Sequence, residues 1–490
     1  MLTYIDGSDI SKDIVGGKAS NLSKMKAMGL NVPSAFVGHS ALTFKKRGAT
    51  FNGRLNSYIR YLADESGKSW SLNHGDPLIV SVRSGSRISM PGMMDTILNI
   101  GLNRSNIDAF CESKNADKSF GLDCYRRLIQ MYGETVKGID SKEFSTIWNA
   151  AKTYYVDGIP EEGYERVISL YEKAYQRKTG ESFPQDVDEQ LRTAANAVYD
   201  SWFSEKAVAY RQLEGIPEDY GTAMTVQEMV FGNLPDSATG VAFSHDPNTG
   251  ERTLYGDFLE GAQGEDVVAG IAKVSPISDM VSSPKYSTNA KQLRKAISAM
   301  VAAERDMVDV EFTVERGELY ILQYRVAKRS TEAAVRCVLD MNREGVLDAH
   351  TASKRIFDLM PKKDRSTMDA SDLNFVGAGV GATSDEVVGC IATTHEQANA
   401  CHEDGVDYIY VAMETSPEDS VPMANSVGIL TGLGGKLSHA AVVARGWNKS
   451  CVVGFSKLKE VNDDEIIVGT SHYEVGSLVK IDGKSGEVYL

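Results

Sequence analysis

The sequence of 490 residues contains no long hydrophobic run, since no stretch approaches the roughly 18 consecutive apolar residues of a membrane-spanning helix. The first residues, MLTYIDGSDISKD, lack the basic and apolar regions of a secretory signal peptide. Lys and Arg number 52 against 67 Asp and Glu, so the net charge is −15. These absences argue against a membrane protein, a secreted protein, and a protein that binds nucleic acid through a basic surface.

The cysteines are few and scattered. The six are Cys111, Cys124, Cys337, Cys390, Cys401 and Cys451, with no CxxC pair among them. This spacing argues against a disulfide scaffold and predicts reduced, mostly buried thiols in a cytoplasmic protein. The chain also lacks internal repeats and low-complexity tracts.

The length of the chain and the changes in its residue pattern predict several domains, because 490 residues are too many for one hydrophobic core. Residues 1–330 combine strand-like and helical segments, and about 105–215 are polar, aromatic and helix-patterned. Residues 331–376 read as a helical connector followed by a polar linker. Residues 377–490 alternate short apolar strands with glycines and one or two helices. We therefore expect a multidomain α/β and α+β fold.

One histidine follows two glycines and a serine and precedes an apolar stretch, in GGKLSHAAVVARG at residues 434–446. Glycines let the backbone approach a ligand closely, and Ser438 is a favourable helix N-cap. His439 would then be the first helical residue, where the helix end favours an anion and a neutral imidazole. This setting suits a histidine that carries a phosphoryl group. A histidine that only caps or packs at the helix start is the alternative.

A polar cluster is expected on the hairpin VDVEFTVERGELYILQYRV, residues 308–326, where apolar and polar residues alternate. A three-residue loop ending on Gly317 would place four polar side chains on one face: Asp309, Glu311, Gln323 and Arg325. A two-residue turn would place the two halves on opposite faces. Carboxylate and amide oxygens suit Mg²⁺, and an arginine suits a phosphate. A solvated polar face with surface ion pairs is the alternative.

Two more basic residues stand beside glycine-rich segments, Lys18 in GGKASNL and Arg83 in SVRSGSR. The sequence has no GxxxxGK[ST] phosphate-binding loop. Each of these residues by itself is more typical of a surface position than of a ligand site.

Taken together, the segments resemble the pyruvate phosphate dikinase family, and they occur in the family's order along nearly the whole chain. The segments are GGKASNL (16–22), SVRSGSRISMPGMMDTILNIGLN (81–103), TVQEMVFGN (225–233), AQGEDVVAG (262–270), DVEFTVERGELYILQYR (309–325), ETSPED (414–419), GGKLSHAAVVARG (434–446) and IDGKSGEVYL (481–490). MPGMMDTILN points to the dikinase rather than to the related phosphoenolpyruvate synthase.

The resemblance implies an ATP-grasp-like domain that binds Mg·ATP and a swivelling β/α phosphohistidine domain. It assigns His439 as phosphoryl carrier, Lys18 and Arg83 to the nucleotide phosphates, and Arg325 as a phosphate clamp. It also places Gln227 and Met229 beside the adenine and Gly240 in the phosphate loop. Asp309, Glu311 and Gln323 would hold Mg²⁺.

The chain departs from the family pattern at three places. The family continues into an α/β barrel that binds pyruvate, whereas this sequence ends at Leu490, so we expect the barrel on a separate partner. The phosphate loop reads SATGVAFSHDP (237–247), where the family tends to have an extra glycine and TRNP; this leaves the handling of the γ-phosphate and of free phosphate in question. Lys436 and Leu437 replace the usual Met-Thr, which excludes regulation by phosphorylation of that threonine.

Three functions remain open from the sequence. The first is the ATP half of a dikinase, phosphorylated on His439 and serving a separate pyruvate-binding barrel. The second is a phosphotransferase with another acceptor, on the plan of rifampin phosphotransferase, although no acceptor domain is evident between residues 330 and 376. The third is a non-catalytic nucleotide-binding module that pairs with an intact dikinase.

Overall fold

A computed structural model describes residues 1–45, 47–71, 75–88, 90, 93–94, 96–156, 158–268, 274–359 and 373–490. Parts of three expected features lie outside these residues: most of the polar linker, Pro91, Gly92 and Asp95 of the MPGMMDT segment, and the last two residues of AQGEDVVAG. The chain divides into two compact units. The first comprises Met1–Arg211, Gly215–Ser237 and Tyr320–Gln323, and the second Gln212–Glu214, Ala238–Leu319 and Tyr324–Leu490.

The first unit combines a five-stranded antiparallel sheet with helices. Its strands are β1 (Leu2–Tyr4), β2 (Ala35–Gly38), β3 (Val80–Ser86), β4 (Thr96–Ile100) and β5 (Thr222–Glu228), in the order β1-β2-β5-β3-β4. The helices are α1 (Lys12–Ala27), α2 (Ala49–Glu65), α3 (Ile107–Ser113), α4 (Lys118–Lys137), α5 (Ser141–Tyr154), α6 (Glu161–Thr179), α7 (Val187–Asp200) and α8 (Glu205–Leu213). Helices α3 to α8 occupy the region expected to be mainly helical.

Apolar and polar side chains alternate along the strands of the first sheet, which gives it one apolar and one polar face. Val82 pairs with Val226, and both are fully buried in the core of the unit. Their neighbours Arg83 and Thr225 also pair, and so point to the opposite face. Helix α7 shows why the surrounding helices form. Asp186 caps its first turn by accepting the Asp188 N–H, and its buried residues recur at helical spacing.

Three further sheets belong to the second unit, except that Tyr320–Gln323 of one strand are counted with the first unit. The strands are β6 (Ala238–Phe243), β7 (Tyr255–Glu260), β8 (Ser275–Pro276), β9 (Val308–Glu315), β10 (Glu318–Val326), β11 (Phe375–Ala378), β12 (Val380–Gly381), β13 (Glu386–Ala392), β14 (Tyr408–Ala412), β15 (Gly428–Thr431), β16 (Ser450–Val453), β17 (Leu458–Val461), β18 (Glu465–Val468), β19 (Ser471–Glu474), β20 (Leu478–Asp482) and β21 (Glu487–Tyr489). The sheet orders are β10-β9-β6-β7-β8, β11-β21-β20-β13-β14-β15-β16-β12 and β17-β18-β19.

The helices of this unit are α9 (Gly264–Val268), α10 (Ile277–Ser282), α11 (Ser287–Glu304), α12 (Thr331–Arg343), α13 (Ala349–Leu359), α14 (His395–Glu403), α15 (Ser420–Asn425) and α16 (His439–Gly446). Helices α12 and α13 lie where a helical connector was expected. No helix within the described ranges is long and apolar enough to cross a membrane.

The eight-stranded sheet is covered on both faces. Strands β13 to β16 run parallel, and β14 buries side chains on either side of the sheet. Tyr408 and Tyr410 pack with residues of α15 and α16, whereas Ile409 and Val411 pack against the three-stranded sheet. Burial on both faces explains why YIYVA reads as a continuous apolar run.

The turn between β9 and β10 differs from the expected one. Only Arg316 and Gly317 separate the strands, with φ of 50° and 81°, so the prediction of a three-residue loop is wrong. Two consecutive positive φ angles match the twist of a tight hairpin. The sequence did not indicate this turn, because arginine is not a residue type that favours a positive φ.

Candidate functional site

His439 is the first residue of α16, directly after the loop that follows β15. Ser438 occupies the N-cap with φ of −62° and ψ of 161°, as the sequence predicted. Its hydroxyl makes no capping hydrogen bond, and among the residues that the structure describes it has no other partner. A buried hydroxyl thus lies next to the histidine at the positive end of the helix.

The two ring nitrogens of His439 have different surroundings. Nδ1 lies 3.3 Å from the hydroxyl of Thr415, which orients the ring. Nε2 is buried and has no hydrogen-bond partner within the described parts of the chain. Burial lowers the pKa of His439 below its ordinary 6.5, and the carboxylates of Asp419 and Glu418 partly oppose this shift. The imidazole is therefore neutral near pH 7, with one nitrogen available.

Asp419 holds the segment that carries Thr415. Its carboxylate accepts the Ser416 N–H at 2.7 Å and the Tyr410 hydroxyl at 2.8 Å, and it lies 3.1 Å from His395 Nε2. None of these residues had a role predicted from the sequence. The available signal was the segment ETSPED, which had supported only the resemblance.

The carboxylates of Asp309 and Glu311 occupy alternate positions on β9 and share one face. Arg325 Nε donates to both oxygens of Asp309, at 2.8 and 2.9 Å. Burial raises the pKa of Asp309, with Arg325 opposing the shift, while the negative charge of Asp309 raises that of Arg325. This contact, rather than the turn, establishes that Arg325 is beside Asp309. Gln323 stands two residues before Arg325 on β10.

The donor chemistry of this face fits a hard cation. Two neighbouring carboxylates, one of them 3% exposed, carry like charges that a cation would offset. In the structure, Arg325 already neutralises part of this charge. Across the described portion of the chain, no group of three or more His, Cys, Asp or Glu side chains is arranged to bind a metal.

Lys18, Arg83 and Gln227 gather on the polar face of the first sheet. Gln227 pairs with Ser81, two residues from Arg83 on β3. A Cβ added to Gly85, on the same face, would lie 3.4 Å from the Cβ of Lys18. The Nε2 of Gln227 is buried, and no described residue bonds to it. Met229 follows β5, and its sulfur accepts the Asn99 N–H at 3.0 Å.

Gly240 lies in the middle of β6, away from the carboxylates. It pairs with Phe312 on β9, so it belongs to the opposite face from Glu311. A Cβ here would lie 2.6 Å from the Asp257 carbonyl oxygen and 2.7 Å from the Phe312 ring. Packing alone therefore explains the glycine, and its phosphate contact remains a prediction.

A family model described as "Pyruvate phosphate dikinase, AMP/ATP-binding domain" matches residues 47–304, and one described as "PEP-utilising enzyme, mobile domain" matches residues 405–486. The chain is 39% identical to pyruvate, phosphate dikinase of Rhizobium meliloti (strain 1021), covering 99% of this chain and 56% of that protein. The protein from Clostridium symbiosum is 37% identical over 99% of this chain and 57% of its own length. The chloroplastic protein of Flaveria trinervia is 38% identical, with coverages of 99% and 52%.

The chain thus spans about half the length of the curated relatives that it matches. The first family model alone covers more than half of the chain. On this evidence, together with the arrangement around His439, the chain belongs to the pyruvate phosphate dikinase family.

Proposed function

We propose that this protein is an ATP-dependent phosphotransferase that moves a phosphoryl group from Mg·ATP to His439 for delivery to pyruvate on a separate barrel partner. The observation that carries the proposal is the unpartnered, buried Nε2 of His439, within the described residues, at the start of α16. The Thr415 hydroxyl at Nδ1 supports the same reading, because it orients the ring.

The nucleotide is proposed to bind an ATP-grasp-like domain. Lys18 and Arg83 neutralise its phosphates; Lys18 on α1 lies beside Gly85, on the sheet face that carries Arg83, which supports this pairing. Gln227 and Met229 lie along the adenine, where the buried amide of Gln227 offers a hydrogen-bond donor. Gly240 would contribute through its backbone only.

Asp309, Glu311 and Gln323 are the proposed Mg²⁺ ligands, and the ion, when bound, offsets negative charge on the triphosphate. Arg325 is proposed to exchange part of its contact with Asp309 for a phosphate oxygen, since its guanidinium can bridge two acceptors. The carboxylate face would thereby change from a closed ion pair to a phosphate-binding surface.

The phosphoryl step uses the lone pair of a neutral imidazole nitrogen. An N–P bond forms between His439 and the β-phosphorus while the P–O bond to the α-phosphate breaks, so that AMP leaves with the electron pair on that oxygen. The P–O bond between the β- and γ-phosphates then breaks as an oxygen of inorganic phosphate takes the γ-phosphoryl group. By the family pattern, the β-phosphoryl group is retained on the histidine, the γ-phosphoryl group is transferred to inorganic phosphate, and AMP and pyrophosphate are released. The lowered pKa of His439 keeps the nucleophile unprotonated at neutral pH.

The acceptor and the location are also proposals. The acceptor site is proposed to lie on a separate barrel partner that binds pyruvate; the chain itself spans about half the length of its relatives. All six cysteines are free thiols, which supports the expected cytoplasmic location. The Flaveria trinervia relative is described as chloroplastic.

The test is to incubate the protein with Mg²⁺ and ATP labelled at the β-phosphate, with and without inorganic phosphate. We expect acid-labile, base-stable label on the protein together with AMP, and no label on His439→Ala. His402→Ala is the matched control, since His402 is exposed on α14, and it should label normally. Nucleotide binding without any label on the unaltered protein would refute the proposal and favour a non-catalytic binding module.

A further inference from the structure

Lys436 and Leu437 lie in the loop directly before Ser438 and His439. A tight turn shapes the loop: Gly434 has φ of 100°, and the Ser438 N–H donates to the Gly435 carbonyl at 3.0 Å. Both side chains leave this turn toward the sheet that contains β6, β7 and β9.

Leu437 packs against a hydrophobic cluster that includes Phe243 at the end of β6. Its buried members are Phe243, Met307, Ala327, Cys337, Val338, Met341, Leu347 and Ala352. Val241 and Tyr255 border the same cluster. A threonine at this position would present a hydroxyl to an apolar surface, which costs free energy unless the hydroxyl is hydrogen-bonded.

Lys436 lies over the ring of Tyr255, with Nζ 5.5 Å from the ring centroid. This is the distance range of a cation–π contact. Asp257 lies two residues further along β7. Burial raises the pKa of Asp257 and the charge of Lys436 lowers it, so the lysine also interacts favourably with this carboxylate.

Cross-strand pairing identifies the face on which Lys436 and Leu437 rest. Phe243 pairs with both Tyr255 and Asp309. Val241, two residues earlier on β6, pairs with Asp257 and Glu311 in the same way. Paired residues point to the same side of a sheet. The loop therefore sits on the face that carries the two carboxylates.

Arg445 fixes the other side of the loop. This side chain is 2% exposed and donates to the Lys436 carbonyl at 2.7 Å and to the Ala382 carbonyl at 3.3 Å. The backbone at Lys436 is thereby tied to α16 and to the residue after β12. With the backbone held from this side, the lysine and leucine side chains are directed at the sheet.

We propose that Lys436 and Leu437 are positioning residues that seat the His439 loop on the carboxylate face for phosphoryl transfer. The inference rests on the proposed function and goes beyond it, because it names the two side chains whose contacts hold the loop on this face. Neither residue touches the reacting atoms; each acts by raising the fraction of molecules in which His439 is correctly placed.

The test compares the unaltered protein with Leu437→Thr, Lys436→Met and the size-conserving control Leu437→Met. Three quantities are measured: the single-turnover rate of His439 labelling from β-labelled ATP, the Kd for ATP, and deuterium exchange in residues 432–446 and 238–260. We expect Leu437→Thr to slow labelling about tenfold and Lys436→Met about threefold, with ATP Kd within about twofold. Exchange should accelerate in both segments of Leu437→Thr, whereas Leu437→Met should behave like the unaltered protein.

The readouts separate this inference from the proposed function. If Leu437→Thr changes neither the labelling rate nor the deuterium exchange, the proposed role of Leu437 in holding the loop is refuted. Slower labelling without faster exchange would refute it as well. If the unaltered protein takes up no label while Leu437→Thr still exchanges faster, the proposed function fails and the seating of the loop stands.

Discussion

At the scale of single residues, opposing electrostatic effects act on His439. Desolvation and the positive end of α16 both favour a neutral ring, while Glu418 and Asp419 favour a protonated one. Desolvation is the largest effect, so the net pKa is lowered. A neutral imidazole is what nucleophilic attack on phosphorus requires.

This balance predicts the pH dependence of phosphorylation. Because the pKa of His439 is lowered from 6.5, labelling should hold its plateau at neutral pH and fall only as pH drops through a value below 6.5. Glu418→Gln removes an effect that raises the pKa, so the inflection should move further toward acid. Initial labelling rates between about pH 5 and 8 measure it. The exposed Glu403→Gln serves as control, and an inflection above pH 6.5 would contradict the assignment.

At the scale of elements, the contact between α1 and β3 positions Lys18. Gly16 interrupts α1 with φ of 73° and ψ of 166°, and an added Cβ would lie 2.0 Å from the Gly85 carbonyl oxygen. Gly17 has room for a side chain, since an added Cβ would lie no closer than 3.7 Å to the Ser86 carbonyl oxygen. Only the first glycine of the pair is therefore required by the backbone.

The two glycines provide a matched pair of variants. Gly16→Ala should lower the free energy of unfolding by about 2–4 kcal/mol, because it adds both a strained φ and a clash with backbone. Gly17→Ala should change it by less than about 1 kcal/mol, since alanine suits a helix. Thermal unfolding followed by circular dichroism, with ATP binding as a second readout, measures both. Equal effects of the two variants would contradict the role of the α1–β3 contact.

At the scale of the whole molecule, we expect residues 377–490 to swivel between the nucleotide and a separate acceptor. The helices α12 and α13 lie within the expected connector, and residues 360–372 fall outside those described. In the structure, Lys484 Nζ lies 3.7 Å from a carboxylate oxygen of Glu332, at the start of α12. Both side chains are at least half exposed, so this pair offers a place to lock the arrangement.

Cross-linking Glu332→Cys to Lys484→Cys with a short thiol reagent should leave His439 labelling intact and block transfer to pyruvate on an added barrel protein. The locked molecule can still receive a phosphoryl group but cannot present it elsewhere. Label on the protein and on phosphoenolpyruvate are the two readouts. The single variant Glu332→Cys, treated with the same reagent, controls for modification. Transfer from the locked protein at the control's rate would disprove the swivel.

Much of the local architecture could be read from the residues. The first position of α16, the Ser438 N-cap and the alternation of β9 follow from capping and from a side-chain period of two, which depend on neighbours along the chain. The turn at Arg316 could not be predicted from the sequence, because a positive φ at a residue other than glycine has no dependable sequence signal.

The sequence by itself determined which chemical groups the protein has: a histidine at a helix start, two carboxylates on one strand, and basic residues beside glycines. Tertiary structure alone decided what surrounds them. Thr415 contacts His439 across 24 positions of chain because β14 and β15 lie side by side, and Leu437 packs against the distant cluster that includes Phe243. Such contacts depend on strand order and on burial shared among distant segments, which no local pattern encodes.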